Sequence, residues 1–141
     1  MKIGVVGAGL MGAEIGLVHA LAGWNVVLSD RSMEALEKAR ERLAKILEKG
    51  VSRGFYEEGD VKPALDRITL TVNLEDFADC DVVTEAVFEN QDVKTEVLQK
   101  LDKICKPDCI IATNTSTIPI STLAATLSEE RRATFIGTHY F

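Results

Sequence analysis

Short runs of apolar and β-branched residues alternate along the chain with segments in which apolar residues recur at helical spacing. Six runs are predicted to be strands, namely Lys2 to Val6, Asn25 to Ser29, Ile68 to Val72, Asp81 to Val87, Cys109 to Thr113 and Thr134 to Thr138. Several of them are apolar on both faces, which is typical of strands in a parallel sheet that helices cover on each side. The pattern therefore predicts an open, doubly wound, mostly parallel α/β sheet.

The helical segments fall between the predicted strands. Leu10 to Ala22 and Asn90 to Ile104 each place their apolar residues on one broad face, and a glycine follows the first of them. Between the second and third strands, Arg31 to Lys49 is strongly helical, and a short second helix could follow a turn at Gly50 to Gly54. This stretch is too long for a simple crossover, so we predict a helical hairpin inserted after the second strand.

Composition limits the class of protein. The chain has 141 residues, of which 46% are hydrophobic, and its 16 basic and 22 acidic residues give a formal charge of −6. One domain of this size is expected, and its negative charge argues against non-specific binding to nucleic acid or to a membrane surface. No apolar run approaches the roughly 18 to 20 residues that span a bilayer, and we expect a cytoplasmic protein.

Three cysteines, Cys80, Cys105 and Cys109, make an odd number at low density. A disulfide framework is not expected in a chain that can build an ordinary core. Neither His19 nor His139 lies near the cysteines in sequence, so no metal site is expected either.

A glycine-rich turn follows the first predicted strand and opens the first predicted helix. Its residues, Gly7, Ala8, Gly9, Leu10, Met11 and Gly12, match the pattern G-x-G-x-x-G. Such a turn brings backbone N–H groups at a helix N-terminus close to a pyrophosphate, as in Rossmann-type dinucleotide-binding domains. The flanking strand and helix favour cofactor binding over a glycine-rich turn without a ligand.

Asp30 ends the second predicted strand, 18 residues after Gly12. A carboxylate at this place accepts hydrogen bonds from the adenosine ribose and repels a 2′-phosphate, which favours NAD over NADP. The adjacent Arg31 could neutralise such a phosphate. Asp30 could instead be the N-cap of the following helix, although Ser32 is a comparable candidate for that position.

Polar residues cluster where the later strands end. Three segments are involved, namely Thr84 to Asn90, Thr113 to Thr117 and Gly137 to Phe141. Because the carboxyl ends of parallel strands share one edge of the sheet, these segments should line the same rim.

Together with the glycine-rich turn, these segments resemble the NAD-binding domain of the 3-hydroxyacyl-CoA dehydrogenase family over essentially the whole chain. The shared features are the helical insertion, Glu-Ala-x-x-Glu-Asn at residues 85–90, Asn-Thr-Ser at 114–116 and Gly-x-His-aromatic-Phe at 137–141. The resemblance implies an enzyme that oxidises an (S)-3-hydroxyacyl-CoA to a 3-ketoacyl-CoA and passes hydride to NAD, as in fatty-acid β-oxidation.

The resemblance also assigns catalytic roles. His139 would be the base that removes the proton from the substrate hydroxyl, a task suited to an imidazole. Ser116 would bond the substrate oxygen and touch the nicotinamide side of the site, and Asn114 would hold the loop and the reacting groups. Alternatively, His139 is a strand-end histidine bonded to backbone, and Asn114 and Ser116 cap the following helix.

Two pairs of residues match further binding positions of the family. Glu89 and Lys94 correspond to positions that contact NAD near the nicotinamide ribose, and the alternative is an ordinary acid at a helix start and an exposed lysine. Arg53 and Lys49, in the helical insertion, would meet the phosphates of CoA. Their alternative is a solvated charged face.

The family pattern extends beyond these residues. Tyr140 stands where the family usually has Phe, and a glutamate that orients the histidine is expected beyond residue 141. We expect residues 1–141 to be one NAD-binding domain that lacks the helical domain for substrate closure and homodimer formation, and that turns over poorly by itself. Alternatives are a related dehydrogenase of the carnitine or gulonate type and a non-catalytic NAD-binding module.

Overall fold

The computed structural model of the chain describes residues 1–140, in which one sheet has helices on both faces. The strands are β1 (Lys2–Val6), β2 (Asn25–Ser29), β3 (Ile68–Thr71), β4 (Val82–Glu85), β5 (Ile110–Thr113) and β6 (Phe135–Gly137). The helices are α1 (Leu10–Leu21), α2 (Met33–Ser52), α3 (Glu58–Asp66), α4 (Gln91–Ile104), α5 (Ile120–Ala124) and α6 (Glu129–Arg132), and a 3-10 turn covers Leu74–Phe77.

The strands are ordered β3-β2-β1-β4-β5-β6, and each neighbouring pair is parallel. The predicted Rossmann-type, doubly wound sheet is therefore confirmed. The order reverses between β1 and β4. In open α/β sheets, ligands bind at such a reversal, beyond the carboxyl ends of the strands.

The core has two layers because successive side chains of a buried strand point to opposite faces. Ile3 and Val5 of β1 pack with α1, α2 and α3, whereas Val6 packs in the cluster that holds Phe77 and α4. An added Cβ at Gly4 would lie 2.2 Å from Phe77 Cδ1. Phe77 therefore packs directly on the backbone of β1, which lies in the middle of the sheet.

The predicted helical hairpin is present as α2 and α3, but the position of its turn was wrong. We predicted a turn at Gly50 to Gly54, whereas α2 continues to Ser52. Gly50 is buried within α2, where an added Cβ would lie 2.3 Å from Tyr56 Cδ2, so this glycine allows packing and does not end the helix. The chain reverses at Gly54, whose φ of +74° favours glycine.

Smaller differences concern short elements. The 3-10 turn, α5 and α6 were not predicted, and each has only four or five residues, too few to show a period. The fourth strand is shorter than predicted, with residues 82–85 in place of 81–87. Pro63 is accommodated inside α3, which begins with a reciprocal capping pair between Glu57 and Asp60.

Cys80, Cys105 and Cys109 are buried, with free thiols. Within residues 1–140, no group of three or more His, Cys, Asp or Glu side chains is arranged to hold a metal ion. Of the helices just described, none has the length and apolar character needed to cross a bilayer.

Candidate functional site

The glycine-rich turn is built so that α1 lies directly against the end of β1. Gly7 has a φ of +103°, and its N–H donates to Ser29 O at 2.8 Å. An added Cβ at Gly12 would lie 1.8 Å from Gly7 O, whereas one at Gly9 would meet no atom within 4 Å. Gly7 and Gly12 are thus required by the fold itself, while Gly9 faces open space where a ligand can approach the backbone.

The N-terminus of α1 has the features of an anion site. Gly9 is its N-cap, and no side chain among residues 1–140 caps the helix there. Leu10 and Met11, which follow, are 67% and 37% exposed. The first N–H groups of α1 therefore remain available to a pyrophosphate, as the motif predicts.

Asp30 lies beside this turn and holds it. Its Oδ2 accepts from Ala8 N at 2.8 Å, and its Oδ1 accepts from Arg31 N at 2.7 Å. The N-cap of α2 is Ser32, whose side chain accepts from Ala35 N, so Asp30 does not cap that helix. The remaining lone pairs of the Asp30 carboxylate can accept from ribose hydroxyls.

Sequence reasoning missed Arg42, which holds the turn from the other side. This residue of α2 donates from Nη2 to Ala8 O at 3.3 Å and to Gly9 O at 3.0 Å. Its Nε is buried without a hydrogen-bond partner among residues 1–140. The available signal was its position in α2, since Arg42 adjoins the buried Leu43 and lies three residues after the buried Ala39.

A cleft of about 310 Å³ lies next to the turn, where β4, β5 and β6 end. It brings together residues that are far apart in sequence and includes all five of the predicted catalytic and nicotinamide-side residues. The lining residues are Met11, Ala86, Val87, Glu89, Lys94, Asn114, Ser116, His139 and Tyr140. The predicted common rim of the three polar segments is thus a single concave site.

The segment that carries His139 is anchored on both sides to β5. Thr138 N donates to Thr113 O at 2.9 Å, and Tyr140 N donates to Asn114 Oδ1 at 3.1 Å. His139 itself is exposed and faces the cleft. The final Phe141 of the family motif lies outside the described residues.

The alternative role of Asn114 and Ser116 as helix caps is not what the structure shows. Helix α5 begins at Ile120 with Pro119 as its N-cap, and Thr115 is the residue whose hydroxyl accepts from Ile118 N. The Asn114 side chain is engaged with Tyr140, and Ser116 is exposed at the cleft. Both residues therefore line the cleft, and neither caps α5.

Lys94 is not the exposed lysine of the alternative interpretation, because only 1% of the residue is accessible. Its Nζ donates to Glu85 Oε1 at 2.8 Å and to Val87 O at 3.1 Å, and it lies 3.8 Å from Glu89 Oε2. Glu85 is fully buried, and sequence reasoning had assigned it no role. Its only signal was an acid at the end of a buried strand.

Glu89 stands at the mouth of the cleft and is ionised at neutral pH. Partial burial acts to raise its pKa, but hydrogen bonds from Thr115 and Thr117 and the charge of Lys94 outweigh burial and hold that pKa below its usual value. The cleft thus presents one ammonium and one partly exposed carboxylate side by side.

Lys49 and Arg53 lie apart from this cleft. Both are exposed and occupy the C-terminal end of α2, in the helical hairpin. They do not line the cleft, so any contact they make with a substrate involves a part of it that extends over the hairpin.

Comparison with known proteins gives a consistent result. Residues 2–141 match the family model described as "3-hydroxyacyl-CoA dehydrogenase, NAD binding domain". A probable 3-hydroxybutyryl-CoA dehydrogenase of Deinococcus radiodurans is 43% identical over 144 residues, which cover 99% of this chain and 49% of that protein. The fatty acid oxidation complex subunit alpha of Psychrobacter cryohalolentis is 42% identical, over 97% of this chain and 19% of that protein.

Solved structures agree in fold. FadB2 from M. tuberculosis superposes with a TM-score of 0.94 at 38% identity, over 99% of this chain and 48% of that one. The (S)-3-hydroxybutyryl-CoA dehydrogenase from Ralstonia eutropha gives a TM-score of 0.93 at 39% identity, with 99% and 49% covered. The chain spans about half the length of these two proteins.

The family match covers nearly every residue, and the glycine-rich turn, Asp30 and the strand-end cleft lie where a dinucleotide-binding domain requires them. This chain belongs to the 3-hydroxyacyl-CoA dehydrogenase family and corresponds to its NAD-binding domain.

Proposed function

We propose that this chain is the NAD-binding part of a dehydrogenase that oxidises (S)-3-hydroxyacyl-CoA to 3-ketoacyl-CoA. The observation that carries the proposal is the shared cleft, in which Asn114, Ser116 and His139 face the same space as Glu89 and Lys94. A site that only bound a nucleotide would have no need for an imidazole beside the nicotinamide-side residues.

The cofactor fits the residues that are present. The N–H groups at the start of α1 would hold the pyrophosphate, in the open space beside Gly9. Asp30 would accept from the adenosine ribose, and Glu89 and Lys94 would contact the nicotinamide ribose. When bound, NAD supplies the acceptor for the hydride.

The chemistry of the chain is proton transfer. His139 would take the proton of the 3-hydroxyl as the hydride leaves the same carbon, and it would return the proton in the reverse direction. Ser116 would hold the substrate oxygen. Asn114 would fix the histidine segment through its bond to Tyr140 N. The imidazole is exposed, and the N–H groups of its two neighbours are bonded to Thr113 O and to Asn114 Oδ1, which supports this role.

Further features of the whole protein are proposals of the same kind. Arg53 and Lys49 would contact the phosphates of the acyl-CoA substrate. A helical C-terminal domain would close over the acyl chain, orient His139 and form a homodimer, since the relatives are about twice as long as this chain. We place the enzyme in the cytoplasm.

The cofactor proposal is tested by titrating the purified chain with NADH and NADPH. NADH should bind more tightly, because the Asp30 carboxylate repels a 2′-phosphate. Equal or reversed affinity would contradict the role of Asp30, and failure to bind either nucleotide would contradict the proposed function as a whole.

The chemical proposal is tested in the full-length protein with acetoacetyl-CoA and NADH. His139→Ala should lower kcat by about 10²- to 10⁴-fold, the usual contribution of a general base, without changing the Kd of NADH. His19→Phe, which removes the other histidine of the chain, is the matched control. Unchanged turnover in His139→Ala would remove this residue from the mechanism.

The same assay separates the alternative functions. Activity on carnitine or gulonate, with none on acetoacetyl-CoA, would indicate a dehydrogenase of a non-CoA substrate. NADH binding without turnover of any hydroxy compound by the full-length protein would indicate a non-catalytic binding module.

A further inference from the structure

Glu85 is a buried carboxylate with three donors from three parts of the chain. It is the last residue of β4 and has no accessible surface. Its Oε1 accepts from Lys94 Nζ at 2.8 Å and from Val87 N at 2.7 Å, and its Oε2 accepts from Thr113 Oγ1 at 2.7 Å. Burying a charge is costly unless it is paired and hydrogen-bonded, and here both conditions are met.

Each donor belongs to the wall of the cleft or adjoins it. Lys94 and Val87 line the cleft, and Thr113 directly precedes Asn114, which lines it too. The backbone of Glu85 adds a fourth link, because Asn114 N donates to Glu85 O at 2.9 Å. One buried residue therefore connects the β4 loop, α4 and the end of β5 at the place where they form the site.

The ammonium of Lys94 is only partly used by these contacts. Two of its three N–H groups are accounted for by Glu85 Oε1 and Val87 O. Glu89 Oε2, at 3.8 Å, is beyond hydrogen-bond distance. Among residues 1–140 no further acceptor lies within hydrogen-bond distance, and Lys94 lines the cleft, so its third N–H can bond an acceptor there, such as a ribose hydroxyl or the carboxamide oxygen of the nicotinamide.

We propose that Glu85 is a positioning residue for the nicotinamide half of the cofactor. It fixes the Lys94 ammonium at the cleft and holds the two loops on either side of it. This inference rests on the proposed function, because it assumes that NAD is the ligand of the cleft. Glu85 itself touches no ligand and acts through Lys94 and Asn114.

Glu85→Gln removes the negative charge of this side chain and can keep its hydrogen bonds. The amide oxygen of glutamine can still accept from Lys94 and Val87, and its NH₂ group can donate to Thr113 if that hydroxyl rotates. What disappears is the buried counter-charge of Lys94, whose remaining carboxylate partner, the Glu89 side chain, is 39% exposed. The ammonium is then held less firmly at the cleft.

Two ligands distinguish a positioning role from a merely structural one. NADH occupies the whole site, whereas ADP keeps the adenosine and pyrophosphate and lacks the nicotinamide riboside. In Glu85→Gln, the Kd of NADH should rise by about tenfold or more, as expected for a weakened hydrogen bond to a charged group, and the Kd of ADP should stay within about twofold. General damage to the fold would weaken both ligands equally.

Two further variants complete the design: the same Glu-to-Gln substitution away from the cleft, and a smaller change next to Glu85. Glu96→Gln removes an exposed carboxylate of α4, the helix that carries Lys94; Glu96 pairs with Lys100, and its loss should change neither Kd. Thr113→Val keeps the charges and the shape, so it serves as the second test if Glu85→Gln does not fold. It removes one donor to Glu85 and should raise the Kd of NADH selectively, by a smaller factor.

The outcomes separate this inference from the proposed function. Equal losses for NADH and ADP, or no loss for either, in the folded variants would overturn the positioning role while leaving NADH binding by the unmodified chain intact. If the unmodified chain bound ADP but gained nothing from the nicotinamide riboside of NADH, the proposed function would fail, and this inference with it.

Discussion

Alanine substitutions at three glycines of α1 and its N-cap should separate the fold of the phosphate-binding turn from its ligand. At Gly12, an added Cβ would lie 1.8 Å from Gly7 O and 2.9 Å from Gly7 C. Both are backbone atoms, so α1 must move away from β1 by about 1.6 Å to reach an ordinary contact distance of 3.4 Å. At Gly9 the added Cβ would meet nothing within 4 Å, and at Gly16 it would lie 3.4 Å from Val26 Cγ1.

The magnitudes follow from these distances. Gly12→Ala should cost about 1–3 kcal/mol, as overpacking does, which corresponds to a fall in Tm of about 4–12 °C for a domain of this size. Gly16→Ala fits with ordinary contacts and gains up to about 1 kcal/mol from helix propensity, so its Tm should rise by up to about 4 °C. Gly9 has a φ of −65°, which alanine adopts without strain, so Gly9→Ala should leave Tm unchanged.

NADH titration completes the design. Gly12→Ala should lose both stability and affinity, with a Kd raised by about 100-fold when the turn shifts by about 1 Å or more. Gly9→Ala should lose affinity alone, because its methyl group occupies space reserved for the phosphates. Gly16→Ala should keep the affinity of the unmodified chain. Wild-type affinity in Gly9→Ala, or an unchanged Tm in Gly12→Ala, would refute the reasoning.

Three further predictions concern charged and titratable groups. Arg42→Met removes the guanidinium that holds Ala8 O and Gly9 O, so the Kd of NADH by fluorescence titration should rise by about tenfold, and Arg42→Lys should lose less. Burial lowers the pKa of His19 below 6.5, so the unfolded chain takes up a proton that the folded chain resists. Stability should therefore fall as the pH is lowered from about 7.5 to 5.5, and His19→Phe should reduce this fall in thermal unfolding. Burial raises the pKa of the Cys80 thiol to about 12, so a disulfide reagent at about pH 8 should label it only after unfolding, and rapid labelling of the native chain would contradict its burial.

The fold was predictable from sequence because apolar runs marked the strands, helically spaced apolar residues marked the helices, and the two patterns did not overlap. The strands at Lys2–Val6 and Asn25–Ser29 were predicted with their observed bounds, since apolar runs between glycines and polar turns mark buried parallel strands. The end of α2 was not predictable, because the sequence does not show that Tyr56 packs on Gly50. The sequence alone does not distinguish a glycine that ends a helix from a glycine that makes room for an aromatic ring.

Some residues of the candidate site could also be predicted from the sequence, and others could not. Residues that follow strands, such as Asn114 and His139, could be placed at one rim because parallel strands end at the same edge. Arg42 and Glu85 could not be placed, because Arg42 contacts carbonyls 33 and 34 positions away, and Glu85 joins the nearby Lys94 to Thr113, which is 28 positions away. A charged side chain on a helix is usually solvated, and only the contact with a distant backbone carbonyl distinguishes the exception.

The formal charge of −6 does not prevent the binding of a dianionic pyrophosphate, because only nearby charges act strongly on it. Charges at the surface are screened over about 8 Å at physiological ionic strength, so the groups at the turn decide what binds there. At the turn, the helix N-terminus and Arg42 are positive, while the Asp30 carboxylate is negative and repels an additional phosphate. At the other end, Lys94 is flanked by two carboxylates, Glu85 and Glu89. The two ends of the proposed cofactor site thus carry opposite local fields, positive at the glycine-rich turn and negative around Lys94.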